Sequence, residues 1–338
     1  MMKSYKYESG VFTIEGAISV ENNEKYCAPW RIDINRRKLF PFLDTFGQGD
    51  ACTGVRIAFT TDSRNVGIDI YETYRGEDGI HDIMMLDIVV NGMYVETIEL
   101  DKGEGLYDFG LLDAGVKDVE IWLDPKYPVR FKSIHIDDEA MIEKTESTKK
   151  RLVIYGSSIV HSVRARSPYY TWPAIVAAKK DMHLTNLGFG GNCILDPIMG
   201  MIMRDMDADI FCLELGSNCY SGNLTDRSFA PCAIGLVKTI RQKHIETPIV
   251  ILSQKYIPAH EVEKGGCRMN AQEMREELKN VVAVFRQYGD KNIYYADGLE
   301  IFGPENIKYM EDKVHPNAEG QFVFAENFNK RIMDKLDF

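Results

Sequence analysis

Four short clusters of small, polar and ionisable residues punctuate the second half of the chain. They are Gly156-Ser157-Ser158, "NLGFGGN" from Asn186 to Asn192, "GSNCYSG" from Gly216 to Gly222, and "EDKVHPNAEG", which holds Asp312 and His315. A serine hydroxyl is a weak nucleophile until a neighbouring base, usually histidine, takes its proton. The histidine needs a carboxylate to fix its tautomer and stabilise the imidazolium. A tetrahedral intermediate needs donors aimed at its oxyanion, each worth about 3–4 kcal/mol. Ser158 can be the nucleophile, His315 the base and Asp312 its orienting carboxylate. The backbone N–H groups of Ser158 and Gly191, with the side-chain amide of Asn218, can form the oxyanion hole; a residue without Cβ at 191 lets the backbone approach a substrate closely. Chemistry alone does not choose between Ser157 and Ser158, nor between Asp312 and its neighbour Glu311. Each cluster also has a plainer reading as a turn or a helix cap.

The elements that must position these residues have a clear rhythm. Five apolar runs, "RLVIY" (151–155), "HLTNLG" (183–188), "DIFCLEL" (209–215), "PIVILSQ" (248–254) and "NIYYAD" (292–297), alternate with helix-like segments such as "WPAIVAAKK", "FAPCAIGLVKTIRQKH" and "MNAQEMREELKNVVAVFRQYG". A last helix is expected after Pro316. Near-continuous apolar strands separated by helices mark a parallel sheet covered on both faces. Ligands of such sheets bind beyond the carboxyl ends of the strands, which is where all four clusters fall.

From about residue 8 to 138 the pattern is different. "GVRIAFTTDSRNVGIDIYETY" (54–74) alternates apolar and polar positions around a turn at Thr61–Asn65, and "MLDIVVNGMYVETIEL" (85–100) sets Asn91-Gly92 between two strand-like runs. That dipeptide is the strongest short hairpin signal. Many short strands at close spacing predict an antiparallel β-sandwich, with no helical segment of useful length. We therefore expect a jelly-roll-like β-sandwich over 1–142, a polar linker over 143–150 and an α/β domain over 151–338.

The chain has 338 residues and a formal net charge of -11, which argues against nucleic-acid or anionic-membrane partners. No run approaches the roughly 18 apolar residues of a membrane span, and the start "MMKSYKYESGVFTIEG" has no apolar core of signal-peptide length. The seven cysteines are odd in number and show no C-x-x-C spacing. Neither a disulfide framework nor a zinc site is indicated, so reduced thiols in a cytoplasmic protein are expected.

Taken together, the four clusters resemble the SGNH (GDSL-type) hydrolase family, named for the Ser, Gly, Asn and His of its four blocks. Ser158 stands third in Gly156-Ser157-Ser158, where the family has Gly-Asp-Ser; Gly191 follows Asn186 by five; Asn218 stands in Gly216-Ser217-Asn218-Cys219; and Asp312 and His315 match the final Asp-x-x-His. The resemblance selects Ser158 over Ser157 and covers about residues 150–338. It implies a flavodoxin-like three-layer α/β/α domain around a five-stranded parallel sheet. Two positions depart from the pattern: Ser157 and Cys219 replace the customary aspartates. The "YGSSI" and "NLGFGGN" forms resemble a bacterial subgroup with an N-terminal β-domain. The layout is also similar to carbohydrate esterases of family 2, which remove acetyl groups from sugars.

The resemblance implies a serine esterase acting on a short acyl ester, acetyl above all, of a carbohydrate or other small molecule, with no metal or organic cofactor. A lipid or thioester acylhydrolase and a carbohydrate-binding protein with a relic site are the alternatives. The oligomeric state is left open. His161 could face the cleft mouth or sit at a helix start, and Cys193 and Cys219 could lie near the site or simply pack. Tyr169, Tyr170, Trp172 and Tyr220 could line a pocket or belong to the core.

Overall fold

The alternating runs of the first half pair as antiparallel strands. In the computed structural model, residues 2–45, 48–72, 83–101, 103–145 and 147–336 are described. Contacts divide the chain into one unit of Met1–Thr148 with Ser167–Thr171, and another of Lys149–Arg166 with Trp172–Phe338.

The first unit carries β1 (Met2–Tyr5), β2 (Thr13–Glu15), β3 (Ser19–Asn22), β4 (Cys27–Trp30), β5 (Arg56–Thr61), β6 (Val66–Glu72), β7 (Met85–Val90), β8 (Met93–Glu99), β9 (Gly105–Phe109), β10 (Lys117–Trp122), β11 (Arg130–Asp137) and β12 (Ile142–Glu143). One sheet runs β3-β4-β11-β6-β9 with β1 on β11; the other runs β12-β5-β10-β7-β8 with β2 on β5. Every pairing is antiparallel. Inward residues of both sheets, among them Ile57, Phe59, Ile88 and Ile121 from one and Ile68, Ile70, Phe131 and Ile134 from the other, share a single buried cluster. That shared core is what makes the pair a sandwich. Asn91 and Gly92, both at positive φ, turn β7 directly into β8, as the Asn-Gly signal predicts. The expected strand through residue 74 is seen to Glu72; Thr73 and Tyr74 lie outside the described residues.

Two features depart from the sequence reading. A 3-10 turn over Ile34–Leu39 and a one-turn helix α1 (Pro41–Thr45) interrupt the strands; Asp33 caps the former by accepting from Asn35 N–H at 3.0 Å. And Ser167–Thr171, though late in sequence order, is anchored in the first unit. The buried Asp87 carboxylate accepts the Ser167 hydroxyl at 2.7 Å and the Tyr169 N–H at 2.6 Å. A carboxylate taken out of water needs such donors.

The second unit is a parallel sheet of β13 (Arg151–Gly156), β14 (His183–Gly188), β15 (Ile210–Leu215), β16 (Ile249–Ser253) and β17 (Ile293–Ala296), in the order β14-β13-β15-β16-β17. This is the doubly wound, flavodoxin-like order. Its helices are α2 (Ser158–His161), α3 (Trp172–Lys179), α4 (Pro197–Asp205), α5 (Phe229–Ile240), α6 (Pro258–Val262), α7 (Ala271–Gln287), α8 (Gly298–Ile301) and α9 (Ala318–Arg331). Helices α3, α8 and α9 pack in one group, and α4, α5 and α7 in another. Burial of β15 and β16 along their whole length follows from coverage on both faces. Trp172 is fully buried, 4.5 Å from Phe324 and 5.0 Å from Phe328 between ring centres, and its indole N–H donates to Ile159 O at 2.8 Å. It is a core residue. Among the described residues no helix is long and apolar enough to cross a membrane.

Gly188 permits a very close backbone approach in this unit. A Cβ on Gly188 would lie 2.2 Å from His161 N and 2.6 Å from Val160 C, both backbone atoms of α2. The helix therefore rests directly on the end of β14, and neither backbone can yield cheaply. Gly188→Ala is expected to destabilise the protein by about 2–3 kcal/mol, read from urea midpoints at an unchanged m-value. A midpoint equal to wild type would mean that α2 is free to move.

Candidate active site

β13 delivers the first cluster. At its end Ser157 N–H donates to Glu214 Oε2 at 2.8 Å, and the buried Ser157 hydroxyl accepts Ile159 N–H at 3.2 Å, capping α2. That hydroxyl is committed to the helix start. Ser158, one residue on, is only partly buried, and its Oγ lies 2.8 Å from His315 Nε2. The two serines left open by chemistry alone thus have different surroundings.

The partner loop runs from Met310 to Pro316, which form an isolated antiparallel bridge. Asp312 Oδ1 accepts Val314 N–H at 2.9 Å and His315 N–H at 2.7 Å, while Oδ2 lies 2.7 Å from His315 Nδ1. Burial raises the Asp312 carboxyl, but the hydrogen bonds from His315 and Val314 outweigh it and hold the group well below the usual carboxylate range. An ionised carboxylate can only accept, so His315 Nδ1 must carry the proton. In the neutral ring Nε2 is then the acceptor facing the Ser158 hydroxyl. Arg164 adds a cation: Nη2 is 3.1 Å from Asp312 Oδ2 and Nη1 is 3.8 Å from Glu311 Oε2. Glu311 is thus directed at Arg164.

Three donors complete the rim. Asn218 Oδ1 accepts Cys193 N–H at 3.0 Å, which orients the carboxamide because a backbone N–H can only donate. Its Nδ2, with the backbone N–H groups of Ser158 and Gly191, has no hydrogen-bond partner among the described residues. Gly191 sits at φ 72°, where a Cβ would be strained though it would meet no atom within 4 Å. All of these groups follow the carboxyl ends of β13, β14, β15 and β17.

Several contributors carry no motif. Glu214 is buried in β15, binding Ser157 N–H through Oε2 and the Ser217 hydroxyl through Oε1 at 2.6 Å. Its one signal in the sequence is a charge within the apolar run "DIFCLEL". His161 is buried rather than at a cleft mouth, and its Nδ1 accepts Gly190 N–H at 3.4 Å. Tyr220 stacks on His260, with ring centres 3.6 Å apart. All seven cysteines are free thiols. Burial, reinforced by Glu214, pushes the Cys193 and Cys219 thiols up, so both are protonated packing groups. Among the described residues, no group of three or more His, Cys, Asp and Glu side chains could hold a metal ion.

Such a sheet, with a serine, histidine and carboxylate converging on its carboxyl rim, defines an SGNH-type α/β hydrolase domain. Residues 149–333 match the GDSL-like Lipase/Acylhydrolase family, and the chain belongs to that family. Residues 12–128 match the family described as SsfX3, N-terminal domain. Among solved structures, the salicylyl-acyltransferase SsfX3 from a tetracycline biosynthetic pathway is similar at 28% identity and a TM-score of 0.90, over 98% of this chain and 97% of that one. A putative GDSL-like lipase from Bacteroides ovatus is 21% identical with a TM-score of 0.76, over 99% and 98% of the two chains. An acetyl xylan esterase from the rumen bacterium Butyrivibrio proteoclasticus shares the fold at 12% identity and a TM-score of 0.65, over 99% and 98%. No curated protein sequence matches the chain.

Lys255, just past β16, gives the site a measurable pH signature. It is 2% exposed, donates to Tyr256 O at 3.1 Å and lies 3.0 Å from Met310 Sδ. Burial lowers its pKa to about 7 from 10.5, against the opposing pull of Glu214 and Asp312. Between these values the unfolded chain binds the proton and the folded chain does not, so this group makes stability rise with pH across that window. Replacement of Lys255 by Met removes both the charge and the slope. The Tm of Lys255→Met should exceed wild type most at or below pH 7, and the gap should narrow towards pH 10. A gap that is constant with pH would show that Lys255 does not titrate in this range.

Proposed function

We propose that this protein is a serine esterase that forms an acyl-enzyme at Ser158, with His315 as general base and Asp312 as its orienting carboxylate. The observation that carries the reading is the continuous hydrogen-bond chain Ser158 Oγ–His315 Nε2 and His315 Nδ1–Asp312 Oδ2, at 2.8 and 2.7 Å. Ser158 Oγ attacks the ester carbonyl carbon while its proton passes to His315 Nε2. The carbonyl oxygen becomes an oxyanion, held by Ser158 N–H, Gly191 N–H and Asn218 Nδ2. The imidazolium returns the proton to the departing alkoxide as the C–O bond breaks, releasing an alcohol. Water then attacks the acyl-enzyme with His315 again as base, and the acid leaves.

For the substrate we propose a short acyl ester, acetyl above all, on a carbohydrate. Its support is the two-part layout shared with carbohydrate esterases such as the Butyrivibrio acetyl xylan esterase. A specific observation favours a second reading of the final step. Similarity to SsfX3 extends over 98% of this chain at 28% identity, and that protein is a salicylyl-acyltransferase. In that reading an acceptor hydroxyl replaces water in the second attack, and the acyl group can be aromatic.

Steady-state hydrolysis of p-nitrophenyl acetate tests the shared core. Ser158→Ala and His315→Ala should each lower kcat by roughly 10⁴-fold or more, and Asn218→Ala by roughly 100–1,000-fold. Wild-type rates in folded Ser158→Ala would rule out the serine mechanism for this ester. Adding an alcohol acceptor then separates the two final steps: acylated acceptor at the expense of free acid identifies transfer, and unchanged acid yield identifies hydrolysis.

A further inference from the structure

The N–H of Gly191 belongs to the peptide joining Gly190 to Gly191. Neither residue has a Cβ, so no side chain of its own restricts the φ and ψ on either side of this peptide. Asn192 N–H donates to Phe189 O at 3.0 Å, which makes residues 189–192 a β-turn with both glycines at its centre. Gly191 has φ 72° and Gly190 is not at positive φ, the type II arrangement. Type I and type II turns follow the same path but differ by a rotation of about 180° in the middle peptide. In the type II form Gly191 N–H is presented on one side of the turn; in the type I form the Gly190 carbonyl takes its place. An oxyanion hole built on Gly191 works in only one of them.

The peptide is trans and planar, so its N–H and C=O point in opposite directions. Whatever fixes Gly190 O therefore aims Gly191 N–H. That oxygen accepts from Asn192 Nδ2 at 2.8 Å. The flanking peptides are tied separately, Gly190 N–H to His161 Nδ1 at 3.4 Å and Asn192 N–H to Phe189 O at 3.0 Å. Among the described residues, the Asn192 carboxamide is the one group bonded to the middle peptide. We propose that Asn192 is a positioning residue that locks the Gly190–Gly191 peptide with its N–H towards the oxyanion and its carbonyl turned away. The inference rests on the Ser158 reading above.

Three substitutions test it on p-nitrophenyl acetate. Asn192→Asp keeps the shape and removes the donor, Asn192→Ala removes the whole carboxamide, and Asn192→Gln supplies a donor again. The two donorless variants should lose roughly 10–100-fold in kcat with KM within about twofold of wild type. Asn192→Gln should recover most of the loss. Phosphonylation of Ser158 by a p-nitrophenyl phosphonate should slow in parallel, since that adduct also places an oxyanion in the hole. A kcat within about twofold of wild type in a folded donorless variant, a loss carried by KM, or Asn192→Gln as impaired as Asn192→Ala overturns the proposal. Ser158→Ala in the same assay distinguishes the failures: if it is inactive the serine reading stands without Asn192, and if it keeps the wild-type rate both fall. A crystal structure of the wild-type phosphonate adduct needs no variant. It should show Gly191 N–H on the phosphonyl oxygen and Gly190 O on Asn192; Gly190 O facing the adduct would overturn the lock.

Discussion

Ser158 and His315 are 157 residues apart in the chain, and their side chains meet at 2.8 Å. A hydrogen bond of that length tolerates little error, so the positions of everything between them matter. The sheet order supplies the first part of the solution. With β13 between β14 and β15, every strand points the same way and every following loop emerges on one rim. The backbone contact at Gly188 supplies the second, setting α2 against β14 with no side chain between. The bridge between Met310 and Pro316 supplies the third, closing the loop that returns His315 to the rim.

Around this contact, single polar side chains each serve two loops. Glu214 binds Ser157 N–H with one oxygen and the Ser217 hydroxyl with the other, so β15 positions the first and third clusters together. Asn218 accepts Cys193 N–H, which links the third cluster to the second. Buried polar groups are satisfied only when their partners are in place, and these shared partners make the rim cooperative. Lys255 lies in the same interior, close enough to Glu214 and Asp312 for both to oppose the lowering of its pKa by burial.

The two departures from the family pattern have local explanations. Ser157 caps α2 through its hydroxyl, and serine and aspartate are comparable N-cap residues. Cys219 is fully buried, with its thiol against Cys193 O at 3.7 Å, a place where a small apolar group packs without the cost of an ionised carboxylate.

The sequence by itself determined the class of fold, because alternation with period two and apolar runs between helices report burial on one face or on both. It also determined which residues gather at the rim, since a parallel sheet sends the ends of all its strands to one side. Asn91-Gly92 announced its hairpin because that turn demands positive φ from both residues. What only the tertiary structure decided was orientation. Ser157 and Ser158 are chemically alike, and helix capping turns one hydroxyl inward while the other faces His315. The assignment of Ser167–Thr171 to the first unit depends on Asp87, a residue 80 positions away. The roles of Glu214, His161, Asn192 and Lys255 rest on hydrogen bonds and burial whose direction no local pattern encodes. Residue type and spacing say what a group can do, but where its lone pairs and protons point depends on distant packing.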